Sequence, residues 1–198
     1  MSSVVISGDT SGAITVSAPA VAGTNTLTLQ AATATNSVNT RETAVTLTTQ
    51  TSVDFTSIPS WVKRITVMFN AVSLSGTAYM QVQLGDSGGI ENTGYTGSVT
   101  IIGNAGTGVT TALSAGFQTE NHTYWVAAST RMGMMTITNV SGNIWTANWV
   151  LGATGTSPAA NAFGGGVKTL TDTLTQVRIT TTGSDTLDGG SVNILYEG

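Results

Sequence analysis

The sequence predicts an all-β chain: an antiparallel β-sandwich of jelly-roll type, preceded by an extended N-terminal β arm. Three observations carry that expectation. Only 8% of the 198 residues are charged, where an ordinary soluble domain has about a quarter. Threonine alone makes up roughly a fifth of the chain, and β-branched residues fit the pleated surface of a strand. Apolar and polar residues alternate with period two in short runs bounded by Gly, Asn, Asp and Ser, and no stretch sustains a helical period.

The arm, residues 1–35, holds one charge, Asp9, and no aromatic ring. Its expected strands are Val4–Ser7, Ala13–Ser17 and Thr26–Gln30, with a turn over Gly8–Gly12. So few apolar side chains cannot offset the entropy of ordering the segment. The arm therefore needs a partner: either another protein on which it docks, or its own copies, three of which would pack Ile14, Val16, Leu27 and Leu29 about one axis. Residues 36–42 read as a linker and 43–198 as the sandwich head. In the head, strands are expected at Thr43–Thr49, Val62–Ser73, Ala78–Leu84, Ser98–Ile102, Thr110–Ala115, Tyr124–Ala128 and Met134–Asn139. A turn at Val140–Asn143 then leads into Ile144–Leu151 as a hairpin. The glycine-rich stretch Ala153–Gly166 reads as a separator before Leu174–Thr182 and Ser191–Tyr196.

Composition excludes several functions. Six basic residues against ten acidic ones leave no electrostatic footprint for nucleic acid. One histidine and no cysteine exclude multi-histidine metal sites, zinc ribbons, iron–sulfur clusters and a disulfide framework. No cofactor or metal is expected. The longest apolar runs are far short of a membrane span, so no membrane insertion is expected. The start Met1–Asp9 lacks the pattern of a secretory signal. A charge-poor, Thr/Gly/Ser-rich chain without an export signal suits a virion component folded in the bacterial cytoplasm and released by lysis.

No catalytic constellation stands out, and no enzyme activity is expected. His122 lies in Glu120–Thr123 with no Gly-x-Ser-x-Gly elbow in the chain, and reads as a surface-loop residue. The ten carboxylates sit mostly beside turn residues and read as Asx-turns or solvated loops rather than a glycosidase pair. Gly164–Thr169 lacks the Gly-Lys-Thr adjacency of a phosphate loop and reads as a loop; Gly183–Gly190, with Asp185 and Asp188, reads as a hairpin turn. Trp61, Trp125, Trp145 and Trp149 read first as core or interface rings. The glycan-binding palette of aromatic faces beside neutral donors falls instead on loops holding Asn92, Tyr95, Asn121, His122 and Tyr124.

Four blocks carry a resemblance. The arm segment Ile6–Gln30 resembles a module recurrent in tail-fibre and other structural proteins of tailed bacteriophages. Asp54–Phe69, the block Val82–Gly89 and the close Gly190–Gly198 resemble the distal domain often attached to it. The resemblance implies a homotrimeric fibre attached to a tail or baseplate protein through its N-terminal arm. The C-terminal head would meet a host cell-surface glycan or protein receptor. It implies no shared catalytic motif. The chain has no long shaft between arm and head, which favours a short fibre at the tail or baseplate periphery of the virion. Two alternatives are a structural head fibre or capsid decoration protein, and a small polysaccharide depolymerase.

Overall fold

The computed structural model describes residues 3–7, 13–17, 38–103, 106, 108–121, 125–155 and 160–198. The chain divides into two compact units, residues 1–36 and 37–198. In the first, β1 (Ser3–Ser7) and β2 (Ala13–Ser17) pair antiparallel, with Val4 opposite Val16 and Ile6 opposite Ile14. Leu27, Leu29 and the expected strand Thr26–Gln30 lie outside the described residues.

The second unit is all-β, with two antiparallel sheets in a sandwich-like packing. Its chain begins with β3 (Asn39–Arg41), β4 (Val45–Thr46), β5 (Ser52–Phe55), β6 (Arg64–Leu74), β7 (Met80–Asp86) and β8 (Gly89–Ile90). Then come β9 (Tyr95–Gly103), β10 (Gly108–Ala112), β11 (Phe117–Gln118), β12 (Thr130–Ser141) and β13 (Ile144–Thr154). β14 (Ala160–Thr169), β15 (Gln176–Thr181) and β16 (Leu187–Glu197) complete it. The larger sheet runs β10-β9-β14-β13-β12-β6-β16-β3, with β4 also on β16; the smaller runs β11-β7-β15-β5, with β8 on β7.

Inward residues of both sheets form one core, among them Ile65, Val67, Leu84, Ile137, Leu151 and Ile179, all fully buried. Each such side chain contributes about 1.5–3 kcal/mol of transfer free energy. Rings bridge the sheets: Phe117 on β11 meets Tyr95 edge-on at 5.0 Å and Trp149 on β13 at 6.2 Å. Trp125, Trp145 and Trp149 are buried, as their core reading expects, while Trp61 is 38% exposed and packs on Tyr196.

One irregularity shapes the larger sheet. In β6 both Phe69 and Val72 are buried, an odd separation that strict alternation forbids. An extra residue resolves it: β6 bulges against β12 and against β16 at the same place, and Ala71 takes φ +52°. Gly190 on β16 sits opposite at φ +82°, where a Cβ would collide with the carbonyls of Asn70 and Ala71.

Several expectations need correction. Residues 39–41 are not linker; β3 pairs with the last strand through Leu195 and Arg41. Of Thr43–Thr49 only Val45–Thr46 is strand. Trp125–Ser129 forms a turn rather than a strand, closed by Ser129 N–H donating to the Val126 carbonyl at 2.9 Å. Gly183–Gly190 is no hairpin, because β15 and β16 belong to different sheets. The largest correction is Gly164–Thr169, which is strand β14 between β13 and β9. Its glycines mark close approach rather than a loop: a Cβ on Gly164 would collide with the Trp149 ring, and one on Gly166 would lie 2.7 Å from Leu113 Cδ1.

Candidate functional site

Of the residues expected to bind a receptor, the three that are described, Asn92, Tyr95 and Asn121, do not share one exposed surface. Asn92 is exposed, in the turn between β8 and β9. Tyr95 opens β9 facing inward and is 2% exposed, which corrects its expected place on a binding loop. Its hydroxyl accepts from Leu84 N–H at 2.6 Å and donates to the Glu91 carbonyl at 3.0 Å, and burial raises its pKa. Asn121 is also buried, which corrects its expected place on an exposed loop. Its Nδ2 donates to the Val99 and Val109 carbonyls at 3.1 and 2.8 Å, holding β9 and β10 from within. His122 and Tyr124 lie outside the described residues.

Two charged clusters are internally satisfied. Glu120, expected in a solvated loop, is fully buried; Arg131 Nε donates to its Oε1 at 2.7 Å, as does Met80 N–H at 3.1 Å. Arg131 also donates to the Ser129 carbonyl at 3.1 Å and lies over the Trp125 ring, 5.6 Å from its centroid. At the second cluster, Lys168 pairs with Glu91 and sits 5.4 Å from the Tyr95 ring centroid. The Thr171 hydroxyl lies 2.7 Å from Asp86 Oδ2 and 2.8 Å from Glu91 Oε1.

In the second cluster, the Asp86 and Glu91 carboxyls are shifted toward the ionised form. The Thr171 hydroxyl and the Gly88 N–H lower the pKa of Asp86. For Glu91, burial pushes upward, but the Lys168 and Thr171 contacts outweigh it and the net shift is downward. A glycosidase acid requires the opposite, a carboxyl kept protonated near neutrality. The Asp86–Glu91 pair thus has the electrostatics of a structural clamp. Among the described residues no group of three or more His, Cys, Asp or Glu is placed to hold a metal ion, and no helix is long and apolar enough to cross a membrane.

The outer face of the larger sheet has a different character. Across β9, β10, β12, β13 and β14 the only charged residues are Arg131 and Lys168, and both are buried. Every outward position there is apolar, Gly, Thr, Ser or Asn. Met134, Val150 and Phe163 stand in one row across three strands, 57%, 64% and 42% exposed. The next row is Met132, Gly152, Asn161 and Ile102. Gly152 places no side chain between Met132 and Asn161, and a groove of about 550 Å³ opens there, flanked by Phe163 and Ile102. This uncharged face is the candidate functional surface.

No family model, no curated protein and no solved structure matches the chain.

Sequence reasoning missed the residues of this face for a simple reason. It assigned each strand's apolar positions to the core by alternation. Phe163 lies in the stretch Ala153–Gly166, read as a glycine-rich separator, and Met132 and Met134 share an outward parity opposite to that of Met135 and Ile137. A continuous apolar row on both parities, as in Met134-Met135 and Trp149-Val150-Leu151, was the available signal.

Proposed function

We propose that this protein is a virion structural protein of the short tail-fibre kind, recognising and adsorbing to the host surface by binding rather than by catalysis. The observation that carries the reading is the division of the chain at residues 36 and 37. It coincides with the passage from the phage-like arm to the head that resembles the distal domain of such fibres. On this reading the arm joins a tail or baseplate protein, the head meets a glycan or protein receptor, and the chain works as a homotrimer in the virion. Pairing of early with late strands, β5 with β15, β6 with β16 and β9 with β14, supports a sandwich of jelly-roll kind.

The uncharged outer face supports self-association, since burying it requires no charge to leave water and low charge weakens self-repulsion. The same face favours one second reading, a head fibre or decoration protein lying against a shell or against its own copies. Light scattering on the full chain tests assembly: three copies of the 20.1 kDa chain are expected, and a monomer at micromolar concentration overturns the trimer. Removing residues 1–36 is expected to leave a folded head that no longer enters particles. Labelling the chain in purified particles at the tail tip supports adsorption, and labelling on the shell supports the second reading. Release of reducing ends from host polysaccharide by the purified protein would overturn the non-catalytic reading.

A further inference from the structure

A second concavity lies beside the β12–β13 turn. It measures about 200 Å³. Its apolar lining comes from Val62, Trp145 and Leu174, all buried, and its polar lining includes Ser60, Lys63, Asn143 and Thr173. We infer that this pocket binds a single carboxylate-bearing sugar residue, such as a uronic acid unit of a surface polysaccharide. This rests on the adhesion reading and names the ligand class that reading leaves open.

The walls are fixed before any ligand arrives. Asn139 N–H donates to the Lys63 carbonyl at 2.8 Å, and Leu170 N–H donates to the Asn143 carbonyl at 3.0 Å. The Asn139 side chain spans the turn, donating to the Gly142 and Ile144 carbonyls at 2.8 and 3.2 Å. On the opposite side Val62 N–H donates to the Pro59 carbonyl at 3.1 Å, and Ile58 N–H to the Thr175 carbonyl at 3.0 Å. The same loop holds Ser57 at φ +60°, a left-handed conformation that a non-glycine residue keeps only when its surroundings impose it. Preorganised walls spare a ligand the cost of ordering them.

The lining chemistry sets the ligand class. The volume is below the roughly 300–1,000 Å³ of pockets for drug-sized molecules, so it suits one ring. The apolar lining suits the C–H face of a sugar, and neutral amide and hydroxyl groups suit its hydroxyls. Lys63 is the only charged residue lining the pocket, and among the described residues it has no carboxylate partner. Nearby, Arg64 pairs with Glu197, and the Asp172 side chain accepts from Thr173 N–H at 2.7 Å. The Asn143 side-chain amide likewise has no partner among the described residues. One free cation beside neutral donors matches one carboxylate, whereas a doubly charged phosphate would call for more donors and more positive charge.

The test is titration of the full-length protein with sodium glucuronate, glucose and sodium acetate, followed by amide and indole NMR shifts. Saturable shifts at Asn143 and Trp145 with glucuronate are expected, with affinity for glucose about fivefold weaker, about 1 kcal/mol for one solvent-exposed ion pair. Lys63→Gln, at an exposed position, should erase that difference. Asn143→Asp should weaken glucuronate while sparing glucose. Equal affinity for glucose and glucuronate, acetate binding as well as glucuronate, or no shift at the pocket each overturns the assignment. Whole-cell binding by the intact chain, measured alongside, separates the two claims. Cell binding without any glucuronate effect overturns the pocket alone, and a glucuronate effect without cell binding overturns the adhesion reading.

Discussion

Neighbouring glycines in β14 should respond to alanine with opposite signs. At Gly164 an added Cβ would collide with the Trp149 ring and approach the Ser98 carbonyl at 2.7 Å. Trp149 is 2% exposed and packed on Phe117, so the ring has no free space to retreat into. Overpacking of this kind costs about 1–3 kcal/mol. Against it stands the gain from removing a glycine from a strand interior, about 0.5–1 kcal/mol. The expected net loss for Gly164→Ala is about 1–2 kcal/mol. At Gly165 the Cβ would point outward and meet only the Ala147 carbonyl, at 3.7 Å, an ordinary contact. Gly165→Ala should therefore be neutral or stabilising by up to about 1 kcal/mol. Urea unfolding followed by far-ultraviolet circular dichroism reads both. With m of about 2 kcal/mol/M, Gly164→Ala lowers the midpoint by about 0.5–1 M, while Gly165→Ala leaves or raises it. Equal midpoints for the two variants would refute the view that Gly164 exists to admit the Trp149 ring.

Three further outcomes follow from the clusters. Arg131→Met should destabilise by about 3–5 kcal/mol in chemical unfolding, because it strands the Glu120 carboxylate in the core; pairing it with Glu120→Gln should recover most of the loss, and a cost under about 1 kcal/mol would contradict the burial. Tyr95→Phe should cost about 1–2 kcal/mol through the lost hydroxyl contacts and leave cell adsorption unchanged; lost adsorption with stability intact would return Tyr95 to the binding surface. The pKa values of Asp86 and Glu91 are depressed below their ordinary 3.8 and 4.5, so the stability they contribute is complete above those values and is lost as pH falls through the depressed ones. The stability gap between the wild type and Thr171→Val should accordingly hold constant above about pH 5 and narrow towards pH 3, and a gap that widens on acidification would refute the sign.

Strand identity was legible wherever one face is wet and the other dry. Val62–Ser73 and Ser191–Tyr196 were placed within a few residues of β6 and β16 because apolar residues alternate over Ile65–Phe69 and Val192–Tyr196, clear of the bulge. The Val140–Asn143 turn was legible from Gly142, which adopts φ +51°. Three things were hidden. β14 was lost because its glycines answer to the bulk of Trp149 and Leu113, rings and methyls remote in sequence. The sheet assignment of β15 and β16 was invisible, since a turn reads the same whether it joins neighbours or crosses the core. Tyr95 and Asn121 look like loop residues in sequence, and only the tertiary pairing of the Tyr95 hydroxyl with Leu84 and of Asn121 Nδ2 with Val99 and Val109 accompanies their burial.

The uncharged outer face has a consequence for the medium in which contacts made on it can hold. Attraction between exposed opposite charges fades once the ionic strength shortens the screening length to about 8–10 Å, so charge-based adhesion is strong in dilute water and weak in brine. A contact formed by Met134, Val150 and Phe163 with threonine and asparagine neighbours carries no such dependence. Salts excluded from protein surfaces strengthen it instead, and cooling weakens it. Assemblies joined through this face would therefore keep their strength across fresh and saline habitats, with temperature rather than salinity as the variable that loosens them.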